Sequence, residues 1–194
     1  KYLFVEDHDP VFHRTKYLNQ LLRDAETELV GIWDTDVILP DEQIDRALQD
    51  IREGKAVMSY PYDGRFYFCN SEESSCYRQQ ASIDYLLERV NRGNYCMSNS
   101  VGGAFCVRKD FYLEAGGENE TFYGWGLEDL ERIRRMFILG LPVTRVDGPL
   151  FHLFHPRNKN SYYKDEEAEI KSRQEFLKVC GMNSEGLKKN NKIY

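Results

Sequence analysis

The stretch ELVGIWDTDVILP, residues 28–40, holds two short apolar runs with an acidic turn between them. Leu29 to Trp33 reads as a buried strand, and it stops abruptly at Asp34-Thr35-Asp36. An ionised carboxylate is costly to bury unless it is paired, so the acids belong at the strand's mouth rather than in the core. In open α/β sheets that is where ligands bind. At a bend the two acids can converge on one cation, or one can take a metal and the other a hydroxyl. A strand-ending Asx turn is the plainer alternative.

The rest of the chain bounds the options. Its 194 residues suffice for one buried domain, and a net charge of -6 argues against nucleic acid as a partner. No apolar stretch is long enough to span a bilayer, and no signal peptide opens the chain. Five cysteines without a CxxC pair suggest free thiols in a reducing compartment, hence a cytoplasmic setting, with the inner face of a membrane reached only through further segments.

Around the acidic turn, the pattern predicts alternating strands and helices. KYLFVED (1–7) reads as a strand ending in acids, and residues 12–25 have helical spacing. With strand 28–33 they predict a parallel strand-helix-strand unit with a right-handed crossover. Pro40-Asp41 opens a helix closed by Gly54. AVMSYPYDGRFYF predicts a hairpin around Asp63-Gly64, and residues 74–93 an amphipathic helix ending at Gly93. AFCVR, PVTRV and PLFHLFH read as strands, and KDFYLEAGG as a short helix. GLEDLERIRRMFILG reads as a helix with an apolar face of Leu130, Ile133, Met136, Phe137 and Leu139. Residues 165–194 read as a charged helix with a frayed Lys/Asn-rich end.

Two further stretches carry chemistry. In FYGWGLEDLE (122–131), glycines flank Trp125, and Glu128-Asp129 open a helix. Acids favour a helix N-terminus, so a capped helix with a buried Trp is one reading. The other is an aromatic platform for a sugar ring with a proton-accepting carboxylate beside it. In FHLFHPR (151–157), His152 and His155 are two of only four histidines. Imidazoles and carboxylates together suit Mn²⁺.

Taken together, TDVI after an apolar strand, GG…GWGxED and HxxHPR resemble the metal-dependent glycosyltransferases of the GT-A fold, above all the C-terminal half of the β-1,4-galactosyltransferase and N-acetylgalactosaminyltransferase type. FHRTKYLN (12–19) resembles that family's FNRAKLLN helix. The resemblance runs from about residue 2 to about residue 160. It implies a single α/β domain over 1–194, with a central mixed sheet and helices on both faces.

It further implies inverting transfer of a hexose or N-acetylhexosamine from a UDP-sugar to a saccharide hydroxyl, as in polysaccharide biosynthesis. The cofactor would be Mn²⁺, with Mg²⁺ as the alternative. Asp36, His155 and His152 match the metal positions, and Asp34 the acid at the ribose and phosphate. Phe12 and Arg14 match nucleotide contacts, and Trp125 the aromatic over the sugar. Asp129 matches the catalytic base, with Glu128 beside it holding hydroxyls. Ser100, two residues before Gly102-Gly103, matches the position facing the donor's second carbon, where a small residue admits an N-acetyl group.

The family's first strand and its Pro-Phe-Arg turn would precede residue 1, so the resemblance implies a domain lacking that strand. Three other classes share parts of the pattern. They are a nucleotidyltransferase of similar fold, a non-catalytic carbohydrate-binding module and a degenerate transferase.

Overall fold

In the computed structural model the run after Glu28 forms a strand, β1 (Leu29–Trp33), and the chain bends at the acids into a two-residue strand, β2 (Val37–Ile38). The structure describes Tyr2, residues 4–90 and residues 96–190. Before β1 comes α1 (Arg14–Asp24); after β2 come α2 (Asp41–Arg52), β3 (Met58–Tyr60), β4 (Phe66–Phe68), α3 (Ser71–Gln80) and α4 (Ile83–Leu87). Then follow β5 (Cys96–Met97), β6 (Ala104–Arg108), α5 (Lys109–Glu114), α6 (Glu128–Ile138), β7 (Val143–Arg145), β8 (Leu150–His152), α7 (Glu166–Cys180) and α8 (Ser184–Asn190).

The central sheet has the order β1-β6-β3-β7. It is mixed: β6 runs antiparallel to both β1 and β3, and β7 runs parallel to β3. Successive strand side chains alternate between faces. On one face Phe105, Val107, Met58 and Tyr60 pack with Leu22 of α1, Tyr112 of α5 and Met136 of α6. On the other, Cys106 packs with Ala47 and Ile51 of α2. Helices therefore cover both faces, as expected.

A second sheet, β2-β8-β4-β5, starts where β1 ends. Its register sets Val37 opposite His152. This crossing from one sheet to the next at residues 34–36 places the acidic turn at a mouth between sheets.

Several expectations are corrected. KYLFVED forms no strand in its described residues. Tyr2 and Phe4 are exposed, and the Asp7 and Asp9 carboxylates accept from the amides of Asp9 and Val11. Such local turns compete with extended pairing. Among the described residues no parallel unit forms across α1, and β1 pairs with β6 instead.

Residues 56–68 are not a hairpin, because β3 and β4 lie in different sheets. Asp63 ties the corner instead, accepting from the amides of Arg65 and Gly148. The helix expected over 74–93 is two helices. Ala81 stands at φ +49° between them, and Gly93 lies outside the described residues.

α6 differs from its apolar reading. Leu130 and Phe137 are exposed, whereas Glu131, Arg132 and Arg135 are buried with Met136. The tail is helical through α8, which buries Leu187, and α7 packs on α6. No helix among the described residues is long and apolar enough to cross a membrane, and all five cysteines are free.

Candidate active site

The acidic turn divides its two carboxylates between separate tasks. Asp34 is fixed by its backbone: its amide donates to Gly103 O and its carbonyl accepts from Val37. Its carboxylate takes no local Asx bond but receives Arg14 Nη2 at 2.7 Å. Asp36 faces the second sheet, and its carbonyl accepts from the Leu153 amide at the end of β8. That bond, with the β2–β8 register, brings both histidines to it. His155 Nε2 lies 3.1 Å and His152 Nε2 3.5 Å from Asp36 Oδ2.

One ligand atom from each of Asp36, His152 and His155 lies within 4.8 Å of the others. A carboxylate and two imidazoles are a donor set that suits Mn²⁺. Burial pushes the His152 imidazole below its ordinary range, favouring the neutral form that ligates. Phe68 and Phe66 flank the His152 ring and fix its place.

Arg14 joins this group to the second one. Its Nη1 stands 4.0 Å from both Glu128 Oε1 and Asp129 Oδ1 at the start of α6. Asp129 is held from two sides. Arg132 Nη1 donates to its Oδ1 at 2.7 Å. Its Oδ2 lies so close to Gly102 that a Cβ there would stand 2.6 Å away.

Behind Asp129 is a layer of buried charge. Arg132 is fully buried and donates to both oxygens of Glu118, at 3.0 and 2.8 Å. The Tyr112 hydroxyl donates to Glu118 at 2.6 Å. Such a pair is strongly destabilised when one partner is lost, by about 3–5 kcal/mol, because the other is then buried uncompensated.

Glu128 has a different environment. Its Oε2 is buried without a hydrogen-bond partner, and burial together with the neighbouring Asp129 charge raises its carboxyl to about 7. The Tyr60 hydroxyl is also buried without a partner, and it too feels the Asp129 charge.

The other expected residues border this centre. Gly103 stands at φ +83°, and a side chain there would collide with Phe66, so only glycine lets this loop lie against both sheets. Ser100 is 6% exposed, and its amide donates to Gly64 O. Trp125 is 47% exposed, so it is not the buried Trp of a simple capped helix. Phe12 is exposed and stacks on Tyr17, lining a cavity of about 340 Å³ with Val5, Asp7, Gln20 and Leu21. None of Asp34, Asp36, His152 or His155 lines this cavity, which opens on the Phe12 side.

Tertiary structure thus brings together Asp36, His152 and His155, and separately Arg14, Asp34, Glu128, Asp129 and Gly102. The reading from sequence missed Glu118, Tyr112 and Arg132. Their only signal was spacing: Arg132 lies three residues after Asp129 and four before Met136, on the inward face of the helix.

The chain is similar to known proteins over part of its length. Residues 87–159 match the family described as the N-terminal domain of galactosyltransferase. Chondroitin sulfate synthase 3 of Mus musculus is 32% identical over 82 residues, 38% of this chain and 9% of the synthase. Beta-1,4-galactosyltransferase 7 of Drosophila melanogaster is 41% identical over 51 residues, 26% of this chain and 16% of that enzyme. The chain therefore spans a small part of the curated relatives it matches.

Among solved structures, GalNAc-T7 with UDP, GalNAc and Mn²⁺ superposes with a TM-score of 0.54 at 10% identity, over 85% of this chain and 34% of that one. Glucosyl-3-phosphoglycerate synthase from Mycobacterium tuberculosis gives 0.50 at 16% identity, over 90% of this chain and 57% of that one. The chain has the GT-A fold and is related, over residues 87–159, to the galactosyltransferases.

Proposed function

We propose that this domain transfers a hexose or N-acetylhexosamine from a UDP-sugar to a saccharide hydroxyl, with inversion at the transferred carbon. The observation that carries this reading is the convergence on one loop, 99–103, of two groups of opposite use. Gly103 O holds Asp34 beside the Asp36-histidine cluster, and Gly102 lies against the Asp129 carboxylate.

Asp36, His155 and His152 would hold Mn²⁺. A divalent ion bound there supplies positive charge to the diphosphate leaving group. Arg14, tied to Asp34, orients the donor and adds a fixed positive charge on the same side. Asp34 receives the ribose and phosphate region, and Phe12 borders the nucleotide.

Asp129 accepts the proton from the acceptor hydroxyl. Arg132 aims that carboxylate through one oxygen, and the close approach at Gly102 fixes the other. Glu128, beside it, holds sugar hydroxyls through Oε1, the oxygen on the Arg14 side, since its Oε2 is buried. Trp125, half exposed beside two glycines, offers its face to a sugar ring. A single base opposite the leaving group makes the displacement in-line, hence inverting. The small Ser100 favours an N-acetylhexosamine donor over galactose, a preference worth about 1–3 kcal/mol for a pocket difference of this size.

Calorimetry with UDP, with and without Mn²⁺, followed by turnover of UDP-GalNAc, UDP-GlcNAc and UDP-Gal, tests the reading. Mn²⁺-dependent UDP binding and turnover of a UDP-sugar are expected. UDP binding that ignores Mn²⁺, or none at all, would sink it.

A further inference from the structure

α7 lies beyond residues 87–159, the part of the chain that matches the galactosyltransferases, yet it reaches the candidate active site. Asp165 caps it, accepting from the Ala168 amide, and its inward face presents Ser172, Glu175 and Val179. Spacings of three and four put these on one side of a helix. A face built for packing alone would be apolar, since a buried hydroxyl or carboxylate costs free energy unless it is bonded. Both polar groups on this face are bonded, and both to one segment, residues 119–127.

Glu175 Oε1 accepts from Asn119 Nδ2 at 3.0 Å, and Asn119 Oδ1 accepts from the Thr121 amide. At the other end, Ser172 Oγ accepts from the Leu127 amide at 3.1 Å. Leu127 immediately precedes α6 and has no polar side chain with which to cap it. Gly126 permits the approach, since a Cβ there would stand 3.0 Å from Ser172 Oγ.

Between these two anchors lie Tyr123, Gly124, Trp125 and Gly126. Glycines give such a segment backbone freedom, which must be restrained if Trp125 and the acids after it are to keep one position. The α1 side restrains the carbonyls: Thr15 Oγ1 donates to Phe122 O, and His13 Nε2 lies 3.0 Å from Glu120 O. α7 restrains the end from which α6 starts.

From this placement we infer that α7 is part of the catalytic unit, with Ser172 as a positioning residue whose hold on the Leu127 amide sets where Glu128 and Asp129 stand. This rests on the proposed transferase reading and extends it to a segment outside the matched residues. Ser172 is bonded to the Leu127 amide rather than to Asp36, either histidine or Arg14, so it bears on the base and not on the diphosphate.

Ser172→Ala removes the acceptor oxygen and keeps a strong helix former, so the variant is expected to fold, which a thermal melt verifies. Val179→Ala, an apolar truncation on the same face, controls for loosened packing of α7. Wild type and both variants are compared with Mn²⁺ present. The measurements are UDP affinity by calorimetry, amide hydrogen exchange across residues 119–127, and kcat for UDP release from whichever of UDP-GalNAc, UDP-GlcNAc and UDP-Gal the wild type turns over. Ser172→Ala should lower kcat ~10-fold or more, the scale for a catalytic group displaced by a fraction of an ångström. It should also speed exchange over 119–127 and leave UDP affinity unchanged. Val179→Ala should keep kcat near wild type.

A kcat in Ser172→Ala equal to that of wild type overturns the inference and leaves the transferase reading standing. So does an equal loss of kcat in Val179→Ala, which would make the effect one of packing, or a loss of UDP affinity in Ser172→Ala, which would extend it to the whole site. Failure of the wild type to turn over any of the three UDP-sugars removes both readings.

Discussion

Asp129 Oδ2 and Gly102 are so close that a Cβ on residue 102 would stand 2.6 Å from the carboxylate oxygen. Gly102→Ala should therefore push Asp129 out of its place while leaving the Asp36-histidine cluster intact. Steady-state kinetics should show turnover down ~10²-fold, the scale for displacing a positioned base, with UDP affinity by calorimetry unchanged. Unaltered turnover would mean that the glycine does not set the position of Asp129.

Asp129→Asn removes the proton acceptor with almost no change of shape. UDP affinity should stay near wild type, and turnover should fall ~10²-fold or more. Because Arg132 keeps both bonds to Glu118, the helix start should survive, which a denaturation curve can verify. A variant that still turns over would reduce Asp129 to a helix-start acid.

The cluster at Asp36 predicts an order among its members. Asp36→Asn should abolish Mn²⁺-dependent UDP binding without unfolding the chain. His155, at 3.1 Å from Asp36, should matter more than His152, at 3.5 Å, so His155→Ala should weaken Mn²⁺ binding more than His152→Ala. Acid should also weaken binding, since a protonated imidazole cannot ligate, with loss expected below about pH 6. His152, its pKa lowered by burial, stays neutral to lower pH than an ordinary histidine. Calorimetric Mn²⁺ titrations of the variants across pH check both points, and the reverse order of the two histidines would show the roles exchanged.

Glu128 gives a prediction about stability. Its ordinary carboxyl value of 4.5 is raised to about 7 in the fold, chiefly by burial. Between those values the folded state binds more protons than the unfolded chain, so this group's contribution falls as pH rises through that window. The upper bound is about 3 kcal/mol for a shift of this size. Glu128→Gln has no such loss, so urea denaturation should show the variant gaining on wild type from pH 4.5 to pH 7. Parallel pH profiles would mean that Glu128 is charged at neutral pH.

The chain's linear order determined a good part of this. Apolar runs placed β1 and β6, Pro40 marked the start of α2, glycines marked the ends of α2 and α5, and the span of α6 was legible though its inward face was not. An acid pair after an apolar strand marked the mouth of a sheet, because burying unpaired carboxylates is too costly. Tertiary structure decided the rest. Asp36 and His155 are 119 positions apart, and no local pattern joins them; the β2–β8 register does. KYLFVED had the composition of a strand, but its described residues pair with no strand, and pairing is a property of neighbours rather than of a segment. The apolar face read for residues 126–140 did not include Arg132 or Arg135, because charge usually seeks water. Only the fold showed Glu118 and Glu131 waiting in the interior, where a matched partner makes burial of a guanidinium tolerable.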